Sequence, residues 1–149
     1  MEEKNILDTQ IGGSHYKGYK YEPIKFVLDM KFDFVQGSII KYLVRYRKKN
    51  GLEDLRKAKH FAEIGHSYPS RVTTYGTVLE EMDNLRMVCD FVSQKEFDKT
   101  TQDFLMIVIT LICNYQMAEL AHLIDMQMKI EYPTNEHGTE YKRNDPGQS

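Results

Sequence analysis

The Asn50-Gly51 pair interrupts a stretch that otherwise reads as helix from Phe34 to about Ile64, and this interruption constrains the fold more than any other feature. Asn tolerates left-handed backbone geometry and Gly adopts it without steric cost, so the pair stops one helix before the next begins. Upstream, Val35, Ile39, Ile40, Leu43 and Val44 recur at helical spacing behind an Asp33 cap and predict a helix over Phe34–Lys49. Downstream, Leu55, Ala58 and Ala62, with Leu52 and Phe61 near the same face, predict a second over Leu52–Ile64. Glu53 and Asp54 fall in its first turn, where the helix dipole favours acids, and Glu53–Lys57 is an i, i+4 pair. Gly37 lies inside the first helix, where it would cost about 1 kcal/mol against Ala; it would admit a neighbouring helix or a ligand, or simply sit in the first turns.

These two segments are strongly basic. From Lys41 to His60 eight Lys or Arg stand against two acids, +6 in a chain whose formal charge is −2. Lys41, Arg45 and Lys48 share one stripe at i, i+4, i+7. Such a segment is where an anionic ligand would bind, although a solvated helix face would look the same. The second half is acidic: Thr77 to Glu136 holds eleven acids and four bases.

The remaining periodicity predicts an all-α protein. Residues 1–11 read as a loose arm, and Gly12-Gly13-Ser14 opens an aromatic, basic loop running through His15, Tyr16, Tyr19 and Tyr21. Pro23 suits the first turn of a short helix to Met30, with Ile24, Val27 and Leu28 on its apolar face. These elements make an N-terminal three-helix unit over 12–66. Residues 67–76 are turn-rich and form a connector. Over 77–131 a pair of longer helices is expected. The first, Thr77–Val92, would turn Val78, Leu79, Met82, Leu85, Val88 or Cys89, and Val92 inward. The second would run from a Thr100 or Thr101 cap to about Ile130 and bury Leu105, Val108, Ile109, Ile112, Met117, Leu120, and Leu123 or Ile124. Its richness in Ile, Leu and Met makes a homo-oligomer the expectation. Residues 132–149 read as a disordered tail.

Composition removes several classes. The start is acidic where a signal peptide would be basic, and Phe104–Cys113, the most apolar run, is half the roughly 20 residues a membrane span needs. Cys89 and Cys113 lack metal-ligand or redox spacing, so a reduced intracellular setting with buried thiols is expected. No GxxxxGK[ST] occurs, so no P-loop reading is available.

Gly13-Ser14-His15-Tyr16, Glu22-Pro23-Ile24, Gly37-Ser38-Ile39-Ile40-Lys41-Tyr42, Arg45, Lys48 or Lys49, and Glu53-Asp54-Leu55 with Lys57-Ala58 follow in a fixed order over about residues 12–64. That order resembles a small family found mostly in tailed bacteriophages, described as a domain of unknown function or as nucleotide kinases without a Walker-type motif. Ser38 stands where the family pattern often has Asn. The resemblance implies phosphorylation of a (deoxy)nucleoside monophosphate with ATP and Mg²⁺ in the host cytoplasm. Phosphoryl transfer is mostly positioning and charge neutralisation. Lys41, Arg45 and His15 would then be the catalytic group, with Tyr16, Tyr19, Lys48 and Lys49 binding the nucleotide and Glu53 or Asp54 assisting the metal.

Other readings share these residues. A non-catalytic module could bind a nucleotide or a nucleic acid through the same cations and tyrosines. An all-α nucleoside triphosphate pyrophosphohydrolase would use Glu80, Glu81, Asp83 and Asp125 around Mg²⁺. Glu63-x-x-His66 and Glu119-x-x-His122 have the spacing of di-iron bundles, with Glu80 and Glu81 as further carboxylates. For these acids the bland reading is a solvated helix face.

Overall fold

The computed structural model describes residues 6, 11, 18–69 and 78–134, and within them every regular element is a helix. There are six: α1 (Pro23–Asp29), α2 (Phe34–Arg45), α3 (Leu52–Ser67), α4 (Val78–Val92), α5 (Lys99–Cys113) and α6 (Met117–Glu131). The 1–11 arm except Ile6 and Ile11, the Gly12–Lys17 loop with His15 and Tyr16, most of the 67–76 connector, and the tail beyond Thr134 lie outside the described residues.

α1 opens on Pro23 as the sequence predicts, but its inward face is different. Phe26 is fully buried, while Ile24 and Leu28 are exposed. The Phe26 ring stacks on Phe91 of α4 with centroids 4.0 Å apart, and Tyr21, Phe32 and Phe97 pack edge-on around that pair. Aromatic stacking therefore outcompetes the aliphatic stripe for the core. The buried Gln94 side chain closes the same corner, accepting from Tyr21 N–H at 3.0 Å and donating to Tyr21 C=O at 3.1 Å.

Asp33 caps α2 through a reciprocal box with Gln36: its carboxylate accepts from Gln36 N–H, and the Gln36 side chain accepts from Asp33 N–H. Gln36 also donates to the Ile112 carbonyl, tying the start of α2 to the end of α5. Gly37 does admit a close neighbour, since a Cβ there would stand 2.9 Å from Val27 Cγ1 on α1. Regular helix stops at Arg45, four residues short of the expected end. Gly51 N–H reaches back to Tyr46 C=O at 2.7 Å, and Gly51 takes φ +52.

α3 forms the centre of the molecule, packed between α2 and α6. Ala58, Ala62 and Gly65 keep its buried side small, and Met117 of α6 fits against Gly65. Gly65 beside Met117, Lys59 bonded to Asp125, and Gly51 beside Tyr132 show α6 running antiparallel to α3. One core cluster extends from Tyr19 to Ile124 and draws on all six helices.

Four expectations about the second half are corrected. The long helix from Thr100 to Ile130 is two helices, broken at Asn114–Gln116, with Tyr115 at φ +53 and Gln116 N–H bonded to Leu111 C=O. The buried sets Leu105, Val108, Ile109, Ile112 and Met117, Leu120, Ala121, Ile124 are offset by twelve positions. In one continuous helix they would point about 120° apart; the turn lets both face the core. Asp98, rather than Thr100 or Thr101, caps α5, accepting from Thr101 N–H at 2.7 Å. In α4, Val88, Phe91 and Val92 are buried, but Met82 and Leu85 are 59% and 61% exposed, so these two do not join the core. Cys89 and Cys113 are free thiols at the surface, not in the interior.

Gly51→Ala is expected to lower unfolding free energy by about 1–3 kcal/mol, because its backbone geometry disfavours any Cβ. An unchanged urea midpoint would show that the turn tolerates a side chain. The α3–α6 contact carries a pH signature. Hydrogen bonds from Lys129 and Lys59 hold the Asp125 carboxyl down to about 2. A depressed carboxyl stabilises the fold above its unfolded value of about 3.9 and loses that contribution as pH falls through the folded value. The stability difference between wild type and Asp125→Asn should therefore be level above about pH 5 and close between about pH 4 and about pH 2. A difference that persists at the acid end would assign it to something other than this charge.

Candidate functional site

The basic stripe of α2 divides at its end. Lys41 stands outermost, Arg45 leans toward α3, and Lys48 leans the other way onto Tyr19. The α3 side collects the most. Tyr42, half-buried on α2, packs against Phe61 of α3 with centroids 5.9 Å apart and planes 23° apart. Three cations surround the Tyr42 ring: Arg45 with Cζ 4.8 Å from its centroid, Lys41 with Nζ at 5.0 Å and Lys57 with Nζ at 5.9 Å. Cations over an aromatic face are held by its quadrupole, so their stems are ordered before any anion arrives.

The partners of these cations differ. Arg45 grips Asp54 through Nε and Nη2, each 3.0 Å from a carboxylate oxygen, and Asp54 is completely buried. Asn50 Nδ2 adds a contact at 3.4 Å. Two residues expected in separate roles, phosphate contact and metal binding, thus form one internal ion pair. Lys57 bonds to Glu53 at 2.6 Å in an exposed pair, and that bond raises the Lys57 pKa above the ordinary lysine value, so it stays charged. Lys41 is exposed and has no carboxylate partner among the described residues.

On the opposite flank Lys48 Nζ donates to the Tyr19 hydroxyl at 3.0 Å. Tyr19 itself is buried against Phe97, so it serves the core and presents no open ring to a base. Lys48 lines an open groove of about 350 Å³ with Arg47, Lys95, Glu96 and Asp98 over a floor that includes Leu43, Val44 and Phe97. Lys49 is exposed in the turn after α2.

Arg47 is committed internally. It donates to the Tyr46 hydroxyl at 2.8 Å, to Thr101 Oγ1 at 2.8 Å, to Asp98, and to the buried carboxylate of Glu131, which also accepts from Tyr46 and Gln127. Burial, reinforced by Glu131, raises the Tyr46 pKa and keeps the phenol protonated.

The carboxylates considered for metals do not assemble. Among the described residues no group of three His, Cys, Asp or Glu could hold a metal ion. Glu63, His66, Glu119 and His122 are all exposed, so the di-iron spacing does not converge. Asp125 is engaged by Lys59 at 2.8 Å and Lys129 at 2.7 Å, while Glu81 and Asp83 are exposed on α4.

Sequence reasoning missed Tyr42, Lys57 and Phe61 as parts of the site. The signal was available in helical phase: 42 follows 41 on α2, 57 and 61 share a face of α3, and an antiparallel pair would bring them together.

The geometry meets the comparisons over one segment. Residues 11–63, which hold α1, α2 and most of α3, match a family described as a protein of unknown function, DUF3310. No curated protein and no solved structure matches the chain. No helix among the described residues is long and apolar enough to cross a membrane.

Arg45→Ala would strand the Asp54 charge in the interior and is expected to cost about 3–5 kcal/mol in chemical denaturation. Replacing both, as in Arg45→Met with Asp54→Leu, should cost much less. Equal losses in the single and double variants would show that the pair is not the source of the effect.

Proposed function

We propose that this is a phage nucleotide kinase-like protein that transfers the γ-phosphoryl group of ATP to a phosphate oxygen of a (deoxy)nucleoside monophosphate, releasing ADP and a nucleoside diphosphate in the host cytoplasm. The observation carrying this reading is the convergence of Lys41, Lys57 and Arg45 on the Tyr42 ring, within the segment that matches the family. Lys41 meets the phosphate first, having no carboxylate partner among the described residues. Lys57 adds a second charge by leaving Glu53, an exposed partner that holds it weakly. Arg45 acts through its clamp, holding Tyr42 and the two lysines in register.

Mg²⁺ would enter with ATP and neutralise its phosphates. Asp54 does not fit as its ligand, because both oxygens are taken by Arg45 in the interior. Glu53 is exposed but offers one carboxylate, so a metal there would draw its other ligands from phosphates and water. The engagement of both carboxylates favours a second reading, in which the same cations hold a nucleotide without chemistry. His15, also expected in catalysis, lies outside the described residues. We further propose self-association through α4, whose Met82 and Leu85 share a face and stand open to solvent.

The test is a panel of nucleoside monophosphates with ATP and Mg²⁺, watched for diphosphate. Lys41→Ala and Lys57→Ala should each lower kcat/KM by about tenfold or more, the loss of one charge-assisted phosphate contact, with the melting temperature unchanged. No diphosphate from any monophosphate, with nucleotide binding retained in a titration, would leave the non-catalytic reading. Undiminished turnover in both variants would remove the site.

A further inference from the structure

Phe34, Phe61 and Tyr42 form a row along the open side of the α2–α3 pair, with centroids 5.9 Å apart at each step. Phe34 is 79% exposed at the first position of α2. It contributes nothing to the core, and the Asp33–Gln36 box already starts that helix. An exposed aromatic continuing a half-buried pair is surface left for an occupant. Lys41, Arg45 and Lys57 crowd the Tyr42 end, while the nearby acids are Asp54, buried under Arg45, and Glu53, on Lys57. The occupant therefore presents flat apolar faces beside regularly placed negative charge.

We propose that this face docks single-stranded nucleic acid, with a base stacked on the exposed Phe34 ring, the adjoining strand lying along the partly buried Phe61 and Tyr42, and the phosphates following Lys41 and Lys57. Stacking on a ring tolerates any base, and a cationic margin follows the backbone. A duplex keeps its base faces inside and can use only the charges. The inference goes beyond the mononucleotide reading, since one nucleotide needs one ring and one cation cluster. It shares Lys41 and Lys57 with that site, but it stands on Phe34, which the phosphoryl-transfer reading does not use.

The experiment is fluorescence anisotropy of labelled (dT)12, (rU)12 and a 12-base-pair duplex with the full chain, at low and moderate salt. Wild type should bind at least one single strand more tightly than the duplex, weakening as salt rises. Phe34→Ala should lower single-strand affinity about tenfold, as the loss of one stacked base predicts, while leaving duplex affinity, melting temperature and monophosphate turnover unchanged. The two single-stranded arms separate DNA from RNA, and preference for either supports the proposal. Equal affinity for strand and duplex, indifference to Phe34→Ala, or no binding at low salt would each overturn it. So would loss of self-association in Phe34→Ala by sedimentation, which would make the row a contact between copies. Because Phe34 lies outside the phosphoryl-transfer site, a failed kinase panel leaves this result intact, and a failed binding assay leaves the kinase panel intact.

Discussion

One buried carboxylate sets the geometry on which the open face of this protein depends. Asp54 has no access to solvent, and Nε and Nη2 of Arg45 meet its two oxygens. A guanidinium fork on a carboxylate fixes orientation as well as distance, so the last turn of α2 and the first turn of α3 are locked as a unit. Tyr42 lies about one turn before Arg45, and Lys57 about one turn after Asp54. Locking one pair of positions carries the other pair together, and Phe61 then meets the Tyr42 ring a turn further along. The tight return through Gly51 makes the approach short enough for the fork to close.

The charge asymmetry between the halves is in part internal complementarity. Arg47 is held by Asp98 and Glu131, and Lys59 by Asp125, each an N-terminal cation on a C-terminal acid. Two of the eight cations in the α2–α3 segment are therefore met by the acidic half of the chain. What remains outward is a narrower set around Tyr42, with Lys41 at its edge. The buried Arg47–Glu131 pair is costly to desolvate and needs its surrounding donors, which Tyr46 and Gln127 supply. Net charge of a segment thus overstates the charge available at its surface.

Small residues on α3 let this arrangement stay compact. Ala58, Ala62 and Gly65 allow α2 and α6 to approach on two sides, which makes α3 the central helix and ties both halves of the chain to one core. α4 joins that core through Val88, Phe91 and Val92, and its Met82–Leu85 face is left for another surface.

Local chemistry by itself determined the helical class, the Asp33 cap, the Pro23 start, the break at Gly51 before α3 and the buried aliphatic positions of α5 and α6. Each of these depends on neighbours within a few residues, through backbone sterics, side-chain capping and the period of the apolar pattern. Tertiary structure alone decided that Arg45 and Arg47 serve the interior, that Tyr19 and Phe26 belong to the core, and that Met82 and Leu85 do not. It also decided that Tyr115 turns the chain, because only a turn lets two stripes, out of phase in one helix, share a core. A charged or apolar side chain looks the same in sequence whether it meets water, a ligand or another helix. Its role is set by which distant residue arrives opposite it, and for Arg45 of the basic stripe that residue was Asp54.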